Sequence, residues 1–309
     1  MNTLVISAGG SKGAYGVGIL YYYRKEIGKY YDSYIGTSTG SLIAALGAAD
    51  KIDNLKEAYT TITHKDIFTC SPFKIKKNKN GIYKYSINHW NIIKNFINGG
   101  KSLGDTTIFR EKTIPRWFKL EDFNRVNENS SLEIAVTNLT FERSEMIKSN
   151  TKSYDEFLDY LWASTCAPPF MSIVDINNNQ YIDGGTMNMI PIRKAILNGS
   201  DEIDVIVLSE EQIDVYLEKV RNIMHFIIKS MYMMMNKIKR VNMDLDYLAH
   251  LTDKPVKINF HFTENRLTNN SLIFDRNQML DWFELGYNYA KNKKYKSYLL
   301  DKNGYKLIN

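Results

Sequence analysis

The first 50 residues contain two short apolar segments, and each is followed at once by a glycine-rich turn and then by a helical pattern. The first apolar segment covers residues 3–7, and the second ends with Tyr34 and Ile35. Helical patterns follow over residues 14–30 and 42–49. This βαβα beginning predicts an α/β fold in which a parallel or mixed sheet carries helices on its faces.

The second turn, Gly36-Thr37-Ser38-Thr39-Gly40, matches the pattern G-x-S-x-G. The pattern alone is weak evidence, because glycine and serine are common residues. Its position between a strand and a helix is typical of a nucleophile elbow, a strained turn whose small flanking residues let the serine hydroxyl protrude. A helix N-terminus behind Ser38 also favours developing negative charge. The alternative is a glycine turn with a serine that caps the helix.

The first turn, Gly9-Gly10-Ser11-Lys12-Gly13, allows three interpretations. It lacks the G-x-x-x-x-G-K-[ST] pattern of a Walker A loop. It also lacks strict G-x-G-x-x-G and an acidic residue at the end of the next strand, as a dinucleotide site requires. The third interpretation is an oxyanion hole, in which loop amides bind the oxygen that becomes charged when Ser38 attacks an ester. Neighbouring strands would bring the two turns together at one edge of the sheet.

A serine nucleophile needs a base, and histidine is the usual partner in α/β-hydrolases. In that fold the elbow follows several strands, whereas Ser38 has room for only one strand and one helix before it. The downstream histidines His225, His250 and His261 lie in helical or strand-like segments without a loop signature. These features count against a Ser-His-Asp triad.

Three motifs together resemble the patatin-like phospholipases: residues 7–13 their oxyanion loop, residues 36–40 their elbow, and Asp183-Gly184-Gly185 their D-G-[GA] motif. The order and spacing agree over about residues 3–210. The resemblance implies a three-layer α/β/α fold with a central, mostly parallel sheet. It also implies a Ser38–Asp183 dyad and oxyanion donors from Gly9, Gly10 and Ser11. Supporting motif positions are Lys12, Gly13, Gly36, Gly40, Gly184 and Gly185, although a surface lysine is an equal alternative for Lys12. Ala8 stands where the family usually has glycine.

The rest of the chain predicts further elements of the same fold. Strands are expected at 132–138, 203–208 and 256–262, a hairpin at 172–183, and helices near 89–97, 107–117, 154–164 and 191. Residues 65–129 fit either an insertion or lid over the site or ordinary surface helices. Residues 211–309 are expected to be mainly helical with one further strand. Without repeats or a linker, the chain is expected to form one domain over 1–309.

Composition narrows the class of protein. The two cysteines and five histidines offer little material for a metal site, so no metal and no cofactor are expected. No segment is apolar over the roughly 18 residues of a membrane span, and the first residues lack the basic and apolar regions of a signal peptide. We therefore expect a cytoplasmic protein, with transient contact to membranes. The net charge of +6 is not accompanied by a nucleic-acid-binding motif, so no nucleic-acid partner is expected.

Two segments bear on the substrate. Lys74, Lys76, Lys77 and Lys79 form a basic cluster, which is usually a solvated loop but also fits an anionic phospholipid surface. Methionine and isoleucine repeat at helical spacing over residues 224–238 among basic residues, which favours core packing over a membrane-surface helix. The favoured function is a phospholipase A-type hydrolase of membrane phospholipids. The alternatives are a neutral-lipid or general carboxylesterase with the same dyad, and an inactive lipid-binding protein.

Overall fold

Strand β1 (Asn2–Ile6) lies at the centre of a mixed ten-stranded sheet in the computed structural model, which describes residues 1–77, 83–211, 219–220, 223–268 and 270–309. The other strands of the sheet are β2 (Ser33–Thr37), β5 (Ser131–Asn138), β6 (Arg143–Lys148), β7 (Val174–Ile176), β8 (Asn179–Asp183), β9 (Glu202–Ile206), β10 (Val256–His261), β11 (Lys296–Asp301) and β12 (Gly304–Leu307). Strands β3 (Phe73–Lys77) and β4 (Tyr83–Ile87) form a separate antiparallel hairpin.

Twelve α-helices are found in the described part of the chain, and most cover the faces of this sheet. They are α1 (Gly13–Lys25), α2 (Thr39–Ala48), α3 (Ile52–Thr61), α4 (His64–Ile67), α5 (His89–Ile97), α6 (Ile114–Trp117), α7 (Leu120–Asn129), α8 (Tyr154–Thr165), α9 (Ile192–Leu197), α10 (Ile223–Asn242), α11 (Leu245–Ala249) and α12 (Arg276–Lys291). No helix within the described ranges is both long and apolar enough to cross a bilayer.

The five central strands β10, β9, β1, β2 and β5 are mutually parallel, and antiparallel strands complete both edges. Alternate side chains of β1 pack on opposite faces, with Leu4 and Ile6 in one core and Val5 in the other. The first core lies under α1, α2, α3, α8 and α12, and the second lies under α9 and α11. The predicted mostly parallel sheet flanked by helices is therefore confirmed.

Strand β5 organises the strands that carry the predicted site. It pairs with β6 over 133–138, with β2 over 131–135 and with β8 over 136–138. Since a strand has only two edges, β2 and β8 must share the edge opposite β6. The two strands run in opposite directions and meet end to end, with Thr37 opposite Ala135 and Asp183 opposite Val136. This junction brings the ends of β2 and β8 together.

Several predicted elements need correction. The first helix was expected to reach residue 30 but ends at Lys25, because Gly28 adopts φ +67° and the Lys29 amide donates to the Tyr23 carbonyl. The expected helix at 107–117 is a π-helical turn (Phe109–Thr113) followed by α6. The described part of residues 211–309 holds three strands, β10, β11 and β12, rather than the one expected. The signal missed there is Asn303-Gly304, where Gly304 at φ +129° turns the β11–β12 hairpin.

Candidate active site

The elbow at the end of β2 holds Ser38 in a strained conformation. Ser38 has φ 57° and ψ −128°, a region that residues with a side chain rarely adopt. Helix α2 begins at the next residue, so its N-terminus lies behind the serine. A side chain on Gly36 would lie 2.2 Å from the Gly40 carbonyl oxygen, and one on Gly40 would lie 2.4 Å from that of Ile6. The turn therefore requires glycine at both positions.

The hydroxyl of Ser38 donates a hydrogen bond to the carboxylate of Asp183. The distance from Ser38 Oγ to Asp183 Oδ2 is 2.6 Å, and both side chains are buried. The meeting of β2 and β8 along β5 produces this contact between residues 145 positions apart. The structure thus brings the two predicted catalytic residues together in the geometry that a nucleophile and its base require.

Backbone contacts fix the position of Asp183. Its amide donates to the Cys166 carbonyl at 3.0 Å, and its second carboxylate oxygen accepts from the Gly185 amide at 2.6 Å. Gly184 passes so close to β5 that a side chain would lie 2.2 Å from the Ala135 carbonyl oxygen. Burial raises the pKa of Asp183 to about 7, and the hydrogen bonds from Ser38 and Gly185 oppose that rise.

The elbow receives a further contact from helix α8. The Ser38 amide donates to Ser164 Oγ at 3.0 Å, and Ser164 Oγ donates to the Ala135 carbonyl at 2.7 Å. Ser164 therefore links the elbow to the same residue of β5 that crowds Gly184. Nothing in the sequence indicated this role of Ser164.

The glycine loop lies in the same cavity as the dyad, and its amides differ in what they bind. The Ala8 amide donates to the Met189 carbonyl, and the Ser11 amide donates to the Ser271 carbonyl at 2.8 Å. The amides of Gly9 and Gly10 have no acceptor among the residues that the structure describes. Gly10 adopts φ +56°, and a side chain there would lie 2.3 Å from the Ser271 oxygen. Of the three predicted oxyanion donors, Ser11 thus has its amide already paired, whereas the amides of Gly9 and Gly10 lack an acceptor in the described part of the chain.

Lys12 follows the loop and is buried, with an exposed fraction of 9%. The surface-lysine alternative is therefore wrong. Burial lowers the pKa of Lys12 to about 8; the charges of Lys239 and Arg266 lower it too, and Glu210 raises it. Next to Lys12, a side chain on Gly13 would lie 2.5 Å from Thr39 Oγ1, so the two predicted turns pack directly against each other.

A cavity of about 490 Å³ opens above the dyad and the loop. Its floor includes Gly9, Gly10, Ser38 and Asp183, and its walls are mostly apolar. Residues 65–129 were expected to form either an insertion or lid or ordinary surface helices. Within this region, the π-helical turn and α6 contribute residues to one wall of the cavity. The cavity has the size and apolar character of a site for a lipid chain.

Helix α10 contains the Met-rich segment and forms another wall of this cavity. Ile227, Met231, Met235 and Ile238 line it, while Met233 has an exposed fraction of 66%. The favoured interpretation of simple core packing is therefore incomplete, because this stripe faces the cavity. The Met224 side chain lies outside the described residues.

None of the described residues that line the cavity is a histidine. His261 is buried near Asp204 in the β9–β10 region, and His64 stacks on Phe68. Within the described ranges, no group of three or more His, Cys, Asp or Glu side chains is arranged to hold a metal ion.

Comparison with known proteins identifies the family of the chain. The family model described as patatin-like phospholipase matches residues 4–196, more than half of the chain. The chain belongs to the patatin-like phospholipase family. Family membership supports lipid acyl hydrolysis in general. Among solved structures, this patatin-like chain is similar to VipD from Legionella pneumophila, with 12% identity, a TM-score of 0.44 and coverage of 97% of this chain and 68% of VipD. No curated protein matches it.

The patatin-like match ends before two groups that shape the site. Ser271, whose carbonyl accepts from Ser11, follows the matched region, and so does the whole of α10. Sequence reasoning missed Ser271 because its contribution is a backbone oxygen, which leaves no mark in the identity of the residue.

Proposed function

We propose that this protein is a phospholipase A-type acyl hydrolase that cleaves carboxylic esters of membrane phospholipids through a Ser38–Asp183 dyad. The observation that carries the proposal is the 2.6 Å hydrogen bond from Ser38 Oγ to Asp183 Oδ2 at the floor of an apolar cavity. The loop amides of Gly9 and Gly10, which have no acceptor within the described ranges, lie in the same cavity. Intact chemistry of this kind argues against an inactive lipid-binding protein.

In the proposed acylation step, Asp183 accepts the Ser38 proton while Ser38 Oγ forms a bond to the ester carbonyl carbon. The carbonyl electron pair moves to oxygen, and the amides of Gly9 and Gly10 stabilise that oxyanion. As the tetrahedral intermediate collapses, the bond to the alcohol oxygen breaks and Asp183 returns the proton to it. The acyl group stays on Ser38, and the alcohol is released.

Water completes the cycle in the proposed deacylation step. Asp183 accepts a proton from water as the water oxygen attacks the acyl carbon, and the same amides again bind the oxyanion. Breakdown of this intermediate returns the proton to Ser38 Oγ and releases the fatty acid. A carboxylate with a pKa near 7 suits both directions of transfer, since it is neither too weak a base nor too weak an acid.

The substrate class rests on the cavity and on charge. The apolar walls suit an acyl chain, and the exposed Lys74 and Lys76 suit an anionic head-group surface. The Lys77 side chain and all of Lys79 lie outside the described residues. Independence from metal and cofactor, and a cytoplasmic location, stay predictions.

Replacement of either catalytic residue tests the proposal. We expect Ser38→Ala and Asp183→Asn each to lower hydrolysis of a soluble ester and of phospholipid by at least about 1,000-fold, and the double variant to be little worse. A fluorophosphonate probe should label the wild-type chain at Ser38 and leave Ser38→Ala unlabelled. Near-normal turnover by Asp183→Asn would contradict the dyad. Mass spectrometry of products from phospholipid and neutral-lipid panels separates the proposed substrate from a general carboxylesterase.

A further inference from the structure

Helix α5 turns two asparagines toward the protein and most of its apolar side chains toward solvent. Asn95, with an exposed fraction of 7%, donates to the Ser102 carbonyl at 2.8 Å. Asn91, on the same face, donates to the Ser71 carbonyl at 2.9 Å. A surface helix of a globular protein normally buries its apolar face and exposes its polar face. Hydrogen bonds from Asn91 and Asn95 therefore attach α5 to the protein, and the apolar face of α5 is exposed to solvent.

The outward face of α5 consists of Trp90, Ile93, Phe96 and Ile97. Trp90 and Ile97 have exposed fractions of 77% and 79%, and Ile93 and Phe96 are about half exposed, at 48% and 51%. Trp90, Ile93 and Ile97 follow each other at three- and four-residue intervals, so they form a single stripe. Exposure of an apolar stripe of this extent to water is unfavourable. The stripe therefore fits an apolar environment outside the chain.

The chain segment that carries this stripe is basic, and one of its lysines, Lys101, is paired with Asp175 at 3.2 Å. Between Asp66 and Asp105 the chain contains no acidic residue and seven lysines. They are Lys74, Lys76, Lys77, Lys79, Lys84, Lys94 and Lys101. Lys94 is exposed on α5 itself, one residue after Ile93. A tryptophan-containing apolar stripe with a basic surround is the pattern of a helix that lies in the interface of an anionic bilayer.

The stripe is also next to the proposed catalytic cavity. Phe96 lines a small cavity together with Pro168, Pro169 and Met171. The same three residues line the large cavity that contains Ser38. One wall therefore separates the outward face of α5 from the proposed site, so docking through α5 would bring the cavity to the lipid surface.

We propose that α5 is the membrane-docking element of this protein and that its outward face inserts into the interface of an anionic lipid bilayer. The choice of a lipid surface as the partner rests on the proposed function, and the excess of lysine between Asp66 and Asp105 supports it by charge complementarity. The contribution of each lysine is screened by salt, whereas the apolar contribution of the stripe is not.

Vesicle flotation tests the docking surface directly. The triple variant Trp90→Gln/Ile93→Gln/Ile97→Gln is compared with its parent, both carrying Ser38→Ala so that no lipid is consumed. The vesicles contain phosphatidylcholine with or without phosphatidylglycerol. We expect the triple variant to lose at least tenfold in partitioning onto the anionic vesicles, and the parent to bind neutral vesicles much more weakly. Circular dichroism checks that the exposed substitutions leave the fold intact.

A matched control removes equally exposed leucines elsewhere. The variant Leu120→Gln/Leu197→Gln/Leu285→Gln changes residues with exposed fractions of 54%, 56% and 51% on α7, α9 and α12. It should bind anionic vesicles like the parent. Equal loss in both triple variants, or binding by the α5 variant within twofold of the parent, would overturn the proposal. So would a parent that binds no vesicles but forms a dimer that the α5 triple variant abolishes.

A soluble short-chain ester separates this proposal from the proposed function. With Ser38 intact, the α5 triple variant should hydrolyse the soluble ester at the wild-type rate but lose activity on vesicles. If the wild-type chain cleaves no ester at all while α5-dependent flotation is as expected, the hydrolase proposal fails and the docking surface stands. If soluble-ester turnover is normal and flotation is independent of α5, the docking proposal alone fails.

Discussion

Asp183 is a carboxylic acid in a place that disfavours its ionised form. Its ordinary pKa is 3.8, and burial raises the pKa to about 7 in the folded chain. The folded state therefore retains a proton that the unfolded chain releases between these two pH values. Stability from this group is fully present below about pH 4 and is lost as pH rises toward 7.

Replacement of Asp183 should expose this effect as a pH-dependent difference in stability. The side chain of Asp183→Asn cannot ionise. The free energy of unfolding of the variant minus that of the wild type should therefore rise by about 2–4 kcal/mol between pH 4 and 7 and stay constant above that range. Denaturant unfolding across this range measures the difference, and the other titrating groups cancel because both chains contain them. A difference that does not change with pH would mean that Asp183 ionises normally.

Sequence alone predicted the residues at the centre of the site better than those around it. The sequence pattern predicts Gly36, Ser38 and Gly40, because the strained turn excludes most other side chains. Asp183 was readable only through family resemblance, because D-G-G by itself is a common turn signal. The contributions of Ser164 and Ser271 were not readable, because they depend on which backbone carbonyl or amide lies nearby in the folded chain.

At the scale of elements, α10 combines two patterns that the sequence could not separate. Its methionines repeat at helical spacing whether they pack in a core or line a ligand cavity, since both surroundings are apolar. The outcome depends on what lies opposite the helix, which is a long-range property. The α5 helix illustrates the same limit, because its bounds were predicted correctly while nothing in the sequence indicated which face is buried.

Filling the cavity from α10 should shorten the acyl chain that it accepts. Met231 lines the cavity, so Met231→Trp should lower kcat/KM for long-chain esters about tenfold or more relative to a short-chain ester. Met233→Trp is the matched control, since Met233 is on the same helix with an exposed fraction of 66%. A series of soluble esters of increasing chain length gives the measurement. Equal sensitivity to chain length in both variants would place the acyl chain elsewhere.

At the scale of the whole molecule, the residues beyond the family match hold the first helix in position. Helices α1 and α12 approach so closely that a side chain on Gly18 would lie 2.1 Å from the Phe283 carbonyl oxygen. One on Gly286 would lie 2.0 Å from the Tyr15 carbonyl oxygen. Because α1 follows directly from the glycine loop, this contact and the Ser271 carbonyl both connect the C-terminal third to the proposed site. The expectation of one domain over 1–309 agrees with this arrangement and stays a prediction.

The contact between α1 and α12 should tolerate no added side chain. We expect Gly286→Ala to lower the free energy of unfolding by about 2–4 kcal/mol, because the helices must separate to admit the methyl group. It should also slow fluorophosphonate labelling of Ser38. Gly47→Ala in α2 is the control. The added methyl group there would lie 3.1 Å from the end of the Leu20 side chain, which can move. Denaturant unfolding of the two variants should differ clearly, and equal stability would show that the helices adjust freely.

The end-to-end meeting of β2 and β8 along β5 has a consequence for synthesis of the chain. Ser38 emerges from the ribosome 145 residues before Asp183, and the two strands that carry them are aligned by pairing with β5 rather than with each other. A nascent chain can form β1, β2 and β5 in order, yet Ser38 has no contact with Asp183 until β8 has been made and has paired. Under the proposed mechanism, an unfinished chain therefore could not cleave lipid esters.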